Sequence, residues 1–139
     1  MAALPTSLRL EVVTPERMLV REDVDEVVVP GEEGYLGVLP GHTPLLAALT
    51  VGELWYRKGQ DRTYLAIAGG FAEVLPDRVT ILAQIAERAE EIDVPRAEAA
   101  RRRAEERIGR HEIDFERARL ALAKALVRLQ VSSRARTKA

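Results

Sequence analysis

The stretch EEIDVPRAEAARRRAEERIGR, residues 90–110, is where the hydrophobic period of the chain changes. Within it Ala97, Ala100, Ala104 and Ile108 recur at steps of three and four, which is one side of an α-helix. Asp93 is a good N-cap, Pro95 falls in the first turn where its missing N–H costs nothing, and Gly109 can end the helix. A second helix can start from Asp114 as cap, with Phe115, Ala118, Leu122, Ala125, Leu126 and Leu129 along one side. Two helices joined by a short loop make an antiparallel hairpin. A seam built mostly of alanine buries little area, so at roughly 25 cal/mol per Å² the pair is held together weakly and can move. The basic, small-residue tail, residues 132–139, lacks an apolar pattern and is expected to be disordered.

Upstream the period is two. Leu8, Leu10 and Val12 alternate with polar partners, and Val24 and Val27 to Val29 form a β-branched run ended by Pro30-Gly31. Leu54 to Arg57 and Thr63 to Ile67 flank Lys58-Gly59-Gln60-Asp61, while Phe71 to Leu75 and Val79 to Ala83 flank Pro76-Asp77-Arg78, both hairpin-like connections. This spacing suggests an antiparallel sandwich or barrel. The fold class expected is α+β in two units, a β domain over residues 1–86 and a helical hairpin over residues 87–139.

Charge divides at the same place. Residues 1–86 hold 7 basic and 12 acidic side chains, a balance of −5, against 14 and 10 afterwards, a balance of +4. No apolar run reaches the roughly 20 residues of a membrane-spanning helix, and residues 1–10 lack the layout of a signal peptide, so a soluble cytosolic chain is expected. With no cysteine in the chain, there is neither a disulfide framework nor a thiol nucleophile.

A catalytic centre needs a nucleophile with its base, a carboxylate pair or a metal cluster, and the sequence shows none, so no catalytic or metal residue is assigned. His42 and His111 lie in different units without partners at metal-ligand spacing. The glycines of PGEEGYLGVLPGH are not followed by Gly-Lys-Ser/Thr, so they read as turns; Glu32, Glu33 and Tyr35 at the tip of this loop are candidate docking residues. The run Arg101 to Arg103 invites a nucleic-acid reading, but Glu98, Glu105, Glu106, Glu112 and Glu116 are interspersed and would repel phosphates. No nucleic-acid partner is expected.

The segments VVTPERMLV, VPGEEGYLGVLPGHTPLLAALTVGEL and AIAGGFAEVL, followed by an Ala/Arg/Glu helical hairpin, resemble the epsilon subunit of the bacterial F-type ATP synthase over nearly the whole chain. The resemblance implies a β-sandwich of about ten strands and a two-helix C-terminal domain. It also implies a non-catalytic part of the rotating stalk of a proton-translocating enzyme, peripheral on the cytoplasmic face of the bacterial plasma membrane. Glu32, Glu33 and Tyr35 would then face the c-ring and His42 the gamma subunit. The helices would extend to the alpha and beta subunits, where they oppose ATP hydrolysis. Ile92-Asp93-Val94-Pro95-Arg96-Ala97 is similar to an I/L-D-x-x-R-A pattern associated with ATP binding in some members. On that resemblance Glu87, Ile92, Asp93, Arg96, Ala97, Arg103, Arg117 and Lys124 are candidate ATP contacts. Lys124 stands where an arginine is found, which turns a bidentate contact into a point charge. ATP would be a regulatory ligand, and no cofactor is required.

Overall fold

The computed structural model describes residues 4–110 and 114–137, with side chains through residue 135. His111, Glu112 and residues 138–139 therefore lie outside the described residues. Two compact units divide the chain, residues 1–86 and residues 87–139.

The first unit is a single seven-stranded sheet of order β2-β1-β7-β6-β5-β3-β4. Its strands are β1 (Leu8–Val13), β2 (Met18–Val24), β3 (Glu26–Gly31), β4 (Gly34–Val38), β5 (Leu45–Lys58), β6 (Asp61–Leu75) and β7 (Arg78–Arg88), the last ending just past the unit's boundary. In β1, Leu8, Leu10 and Val12 are buried while the residues between them are not, as their alternation requires. They join Val27, Val29, Leu54, Leu65, Val79 and Ile81 in one apolar core. The β5–β6 hairpin closes at Lys58↔Asp61 with Gly59 at φ +63, a conformation favourable to glycine. The Asp25 carboxylate accepts the Gly59 N–H at 2.7 Å, tying that turn to the β2–β3 corner.

Two details depart from the expected antiparallel sandwich of about ten strands. The sheet has seven continuous strands among the described residues, because β5 and β6, of 14 and 15 residues, each serve two stretches of pairing. The β3–β5 register breaks between Val28 and Gly31, and β6 carries Gly69 and Gly70 at φ +79 and +124. Counting segments on either side of such interruptions gives a larger number. The second departure is β1, which pairs β7 in parallel, Leu10 opposite Val79. These strands are not joined by a hairpin, so connectivity does not force them antiparallel.

The second unit holds a 3-10 turn (Ala89–Glu91), α1 (Val94–Gly109) and α2 (Phe115–Thr137). Asp93 caps α1 by accepting the Arg96 N–H at 3.1 Å, and Pro95 lies in its first turn. Gly109 is still helical; the C-cap is Arg110, in right-handed geometry, so α1 ends without a left-handed glycine. Disorder was expected over residues 132–139; α2 runs through Thr137, and residues 138–139 lie outside the described residues. Val131 and Ser132 are buried, and the Ser132 hydroxyl donates to the Leu129 carbonyl at 2.8 Å. Apolar periodicity gave no sign of this because a serine satisfied by its own helix packs like a small apolar residue.

Gly70 provides a test of the bend in β6. Its φ is forbidden to most side chains, and a Cβ there would overlap the Leu82 carbonyl. Gly70→Ala is expected to destabilise the sheet by about 3 kcal/mol or more. Gly41→Ala, at φ +87 with open space around it, is expected to cost about 1–2 kcal/mol. Urea unfolding followed by Trp55 fluorescence checks both.

Candidate functional site

The helical hairpin is organised by four alanines. Ala97 and Ala104 of α1 and Ala118 and Ala125 of α2 are buried, each pair spaced by seven residues. Seven-residue spacing keeps a seam facing a nearly antiparallel neighbour, and methyl side chains let the helices approach closely. Ala104 and Ala118 lie nearest the turn, so Ala97 lies toward Ala125. Each residue step rotates a helix by about 100°. A residue one before a seam alanine therefore sits about 100° to one side, and the two-fold relation between antiparallel helices puts that side on the same face of the hairpin for both.

Arg96, Arg103, Arg117 and Lys124 each immediately precede a seam alanine. The four cations carried by the sequence motif thus share one face. Arg107 and Arg128 follow Ala104 and Ala125 by three residues, which brings them to that face as well, about 60° from the seam. A concavity at the turn end, lined by Arg107, Asp114, Arg117 and Ala118, places Arg107 and Arg117 side by side in agreement with this geometry. Sequence inspection missed Arg107 and Arg128. Their signal is the repeated spacing Arg96, Arg103, Arg107 and Arg117, Lys124, Arg128, the same two intervals in both helices.

The other candidates separate into roles. Ile92 and Ala97 are buried, so they pack the unit and offer no surface to a ligand. Asp93 is exposed, with its carboxylate at the α1 N-terminus. Arg96 and Arg103 are exposed and Lys124 is half-buried. Among the described residues, no carboxylate lies within ion-pair distance of Arg96, Arg103, Arg107 or Lys124. Arg117 is 3.8 Å from Asp114, an exposed pair of little energetic weight. Glu87 accepts two bonds from Arg128, Nε to Oε1 at 2.7 Å and Nη2 to Oε2 at 3.0 Å. That fork joins α2 to the segment leading into the 3-10 turn.

Among the described residues, the interspersed acids Glu98, Glu105, Glu106 and Glu116 do not lie among these cations. Glu98 and Glu105 follow seam alanines and so fall on the opposite face. There Arg101, half-buried, lies 2.8 Å from Glu98 and 3.9 Å from Glu105. Among the described residues, Asp93 and Asp114 stand at the two ends of this face, and Glu87 is held by Arg128.

In the sheet unit, Glu32 and Glu33 are the exposed tip of the β3–β4 hairpin, closed by the Gly31↔Gly34 pair. Tyr35 is 64% exposed, yet its hydroxyl accepts the Glu53 N–H at 3.2 Å, which fixes the ring across β5. Gly52 makes this possible, because any Cβ there would overlap Pro30 and crowd the hydroxyl. His42 Nδ1 lies 2.7 Å from the Thr43 carbonyl, which can only accept, so Nδ1 donates that bond. Among the described residues no group of three or more metal-ligating side chains is assembled. None of their helices is long and apolar enough to cross a membrane.

Two family models cover the chain. The β-sandwich domain of the ATP synthase delta/epsilon chain matches residues 7–89, and the long α-helix domain of that chain matches residues 90–133. An ATP synthase epsilon chain from Syntrophobacter fumaroxidans is 55% identical over 129 residues, 91% of this chain and 96% of that one. The epsilon chain of Nitratidesulfovibrio vulgaris is 47% identical over 131 residues, 93% and 98% of the two chains. A chain in the cryo-EM structure of the Euglena gracilis mitochondrial ATP synthase, OSCP/F1/c-ring, shares the fold. Its TM-score is 0.73 at 23% identity, over 99% of this chain and 84% of that one.

The Glu87–Arg128 fork is bidentate and only about a quarter exposed on either side. Arg128→Ala is expected to destabilise that unit by about 1–2 kcal/mol, with Arg128→Lys recovering part of the loss. Helical circular dichroism on heating reads the difference.

Proposed function

This chain belongs to the delta/epsilon family of ATP synthase subunits, and on that premise we propose that it is a non-catalytic part of the rotating central stalk whose hairpin senses ATP. The observation that carries the reading is the convergence of Arg96, Arg103, Arg117 and Lys124, from two helices, on one face of a weakly seamed hairpin. Phosphates bound there would neutralise cations of both helices at once, and arginine forks suit phosphate geometry. A ligand touching both helices binds the closed hairpin better than an opened one, and this difference in affinity is the condition for shifting a population. The hairpin opened from its closed form would reach toward the alpha and beta subunits and oppose ATP hydrolysis. ATP favours the closed, non-inhibitory state and is not hydrolysed.

In the sheet unit, the Glu32–Glu33 tip with the fixed Tyr35 ring would meet the c-ring, and His42 in its short turn would meet gamma. The chain would then be held at the cytoplasmic face of a bacterial membrane through a proton-translocating complex. Acid segregation weakens the argument against nucleic acid that interspersed glutamates supplied. Asp93 and Asp114 nevertheless close the cationic face at both ends, whereas a duplex contact needs an unbounded basic track.

Two measurements test the reading. In the intact complex, removal of residues 87–139 is expected to raise ATP hydrolysis at low ATP; unchanged hydrolysis would sink the inhibitory role. For the nucleotide, ATP at a hundred times its dissociation constant is expected to stabilise the full-length chain by about 2.7 kcal/mol. Calorimetry should show the heat of ATP binding lost or sharply reduced in Arg96→Ala, and equal heats would remove Arg96 from the site.

A further inference from the structure

Unpaired strand backbone invites another strand, and proteins guard sheet edges with charge, proline or brevity. Of the two terminal strands, β2 carries Arg21, Glu22 and Asp23, and β4 is five residues long with two glycines. A further free stretch lies within the sheet. β3 leaves β5 at the Gly31↔Leu49 pair, so residues 45–48 of β5 pair with β6 alone among the described residues. The Glu32 N–H donates to the Ala48 carbonyl at 2.9 Å, so Ala48 turns its backbone away from β6. Alternation along the strand turns the Leu46 N–H and C=O the same way, past the end of β3. Leu45-Leu46-Ala47-Ala48 offers neither charge nor proline as a guard. Leu46 is 70% exposed, and Phe71, opposite Ala48, is exposed too.

This edge is one wall of a cleft of about 360 Å³ whose other wall is the β3–β4 turn, with Glu32, Glu33, Tyr35 and Leu36. Among the described residues, no cation lies within ion-pair distance of either glutamate. A second copy pairing edge to edge would bring its own Glu32 and Glu33 against these, and like charge would oppose it.

We propose that the Leu46 edge takes up an extended, cationic segment of a partner protein as an added β-strand. The segment's backbone bonds to the Leu46 N–H and C=O, an apolar side chain enters the cleft beside Leu36 and Leu45, and basic side chains meet Glu32 and Glu33. In this mode main-chain bonds supply affinity, while the cleft and its carboxylates supply selectivity. The anchor is the Leu46 backbone, so the proposal needs neither the c-ring contact of the tip nor the ATP site.

The test is an NMR titration of the isotope-labelled full-length chain with a capped eight-residue peptide alternating lysine and valine. Its fully N-methylated form, which has no backbone donors, and a glutamate–valine peptide are the comparisons. Leu46→Pro removes the outward N–H without touching the β6 ladder, Leu46→Ala keeps that N–H and removes the side chain, and Glu32→Gln with Glu33→Gln removes the charge. The lysine–valine peptide is expected to shift the amides of residues 45–48 and to slow exchange of the Leu46 amide. N-methylation, Leu46→Pro and the double glutamine variant should each weaken binding about ten-fold, and Leu46→Ala about three-fold or less. The glutamate–valine peptide should not bind. Thermal melts confirm that each variant folds; if Leu46→Pro does not, the N-methylated peptide on the wild-type chain reads the same backbone bonds. Equal losses from Leu46→Ala and Leu46→Pro would mean docking by the side chain and overturn strand addition. So would undiminished binding of the N-methylated peptide, equal binding of the two charge forms, or shifts confined to residues outside 45–48. Concentration-dependent shifts of these amides without peptide would replace the cationic partner by a second copy and overturn the proposal as well.

Discussion

Two helices can lie against each other with so little between them only because the residues at the seam are Ala97, Ala104, Ala118 and Ala125. That close approach sets the rotation of each helix about its own axis, and the rotation decides which side chains share a face. A seam of larger residues would separate the helices and spread the cations apart. A seam one residue out of phase would swing Arg96, Arg103, Arg117 and Lys124 by about 100° and put others in their place. The arrangement that gathers these cations is the same one that limits the hairpin's stability, because four methyl groups bury little apolar area.

Weak packing and concentrated like charge act in the same direction. Like charges on one face repel each other, and the alanine seam offers little to resist them. The unit is held by other means at its open end, through the Glu87–Arg128 fork and the burial of Val131 and Ser132. Its turn end, near Arg107 and Arg117, lacks an equivalent link among the described residues. An anion bound along the face, as proposed, would relieve that repulsion and bridge the helices, coupling its binding to closure of the hairpin.

The sheet unit obeys the opposite economy. A core that includes Leu8, Leu10, Val27, Val29, Leu54 and Ile81 fills its interior, and close approaches at Gly52 and Gly70 leave no slack. Tyr35 shows how an exposed loop shares in this rigidity, since its hydroxyl is held by a strand backbone while its ring faces outward. Contact surfaces built on such a frame are presented in a fixed geometry.

The sequence by itself determined the two units, the capped start of α1 at Asp93, and the hairpin turns at Gly59 and Asp77, because period, capping and turn chemistry act over a few neighbouring residues. It also carried the family resemblance and the motif cations. What it could not determine was phase and partnership. Arg101 to Arg103 are consecutive in the chain, yet Arg101 is half-buried with Glu98 while Arg103 is exposed on the other face. Which of them does which depends on the helix side turned inward, and that follows from Ala118 and Ala125 on the other helix. The parallel pairing of β1 with β7, the extension of α2 past Ser132 and the capture of Arg128 by Glu87 were likewise decided only in the tertiary structure. In each case the deciding contact comes from residues distant in sequence, and local periodicity carries no record of them.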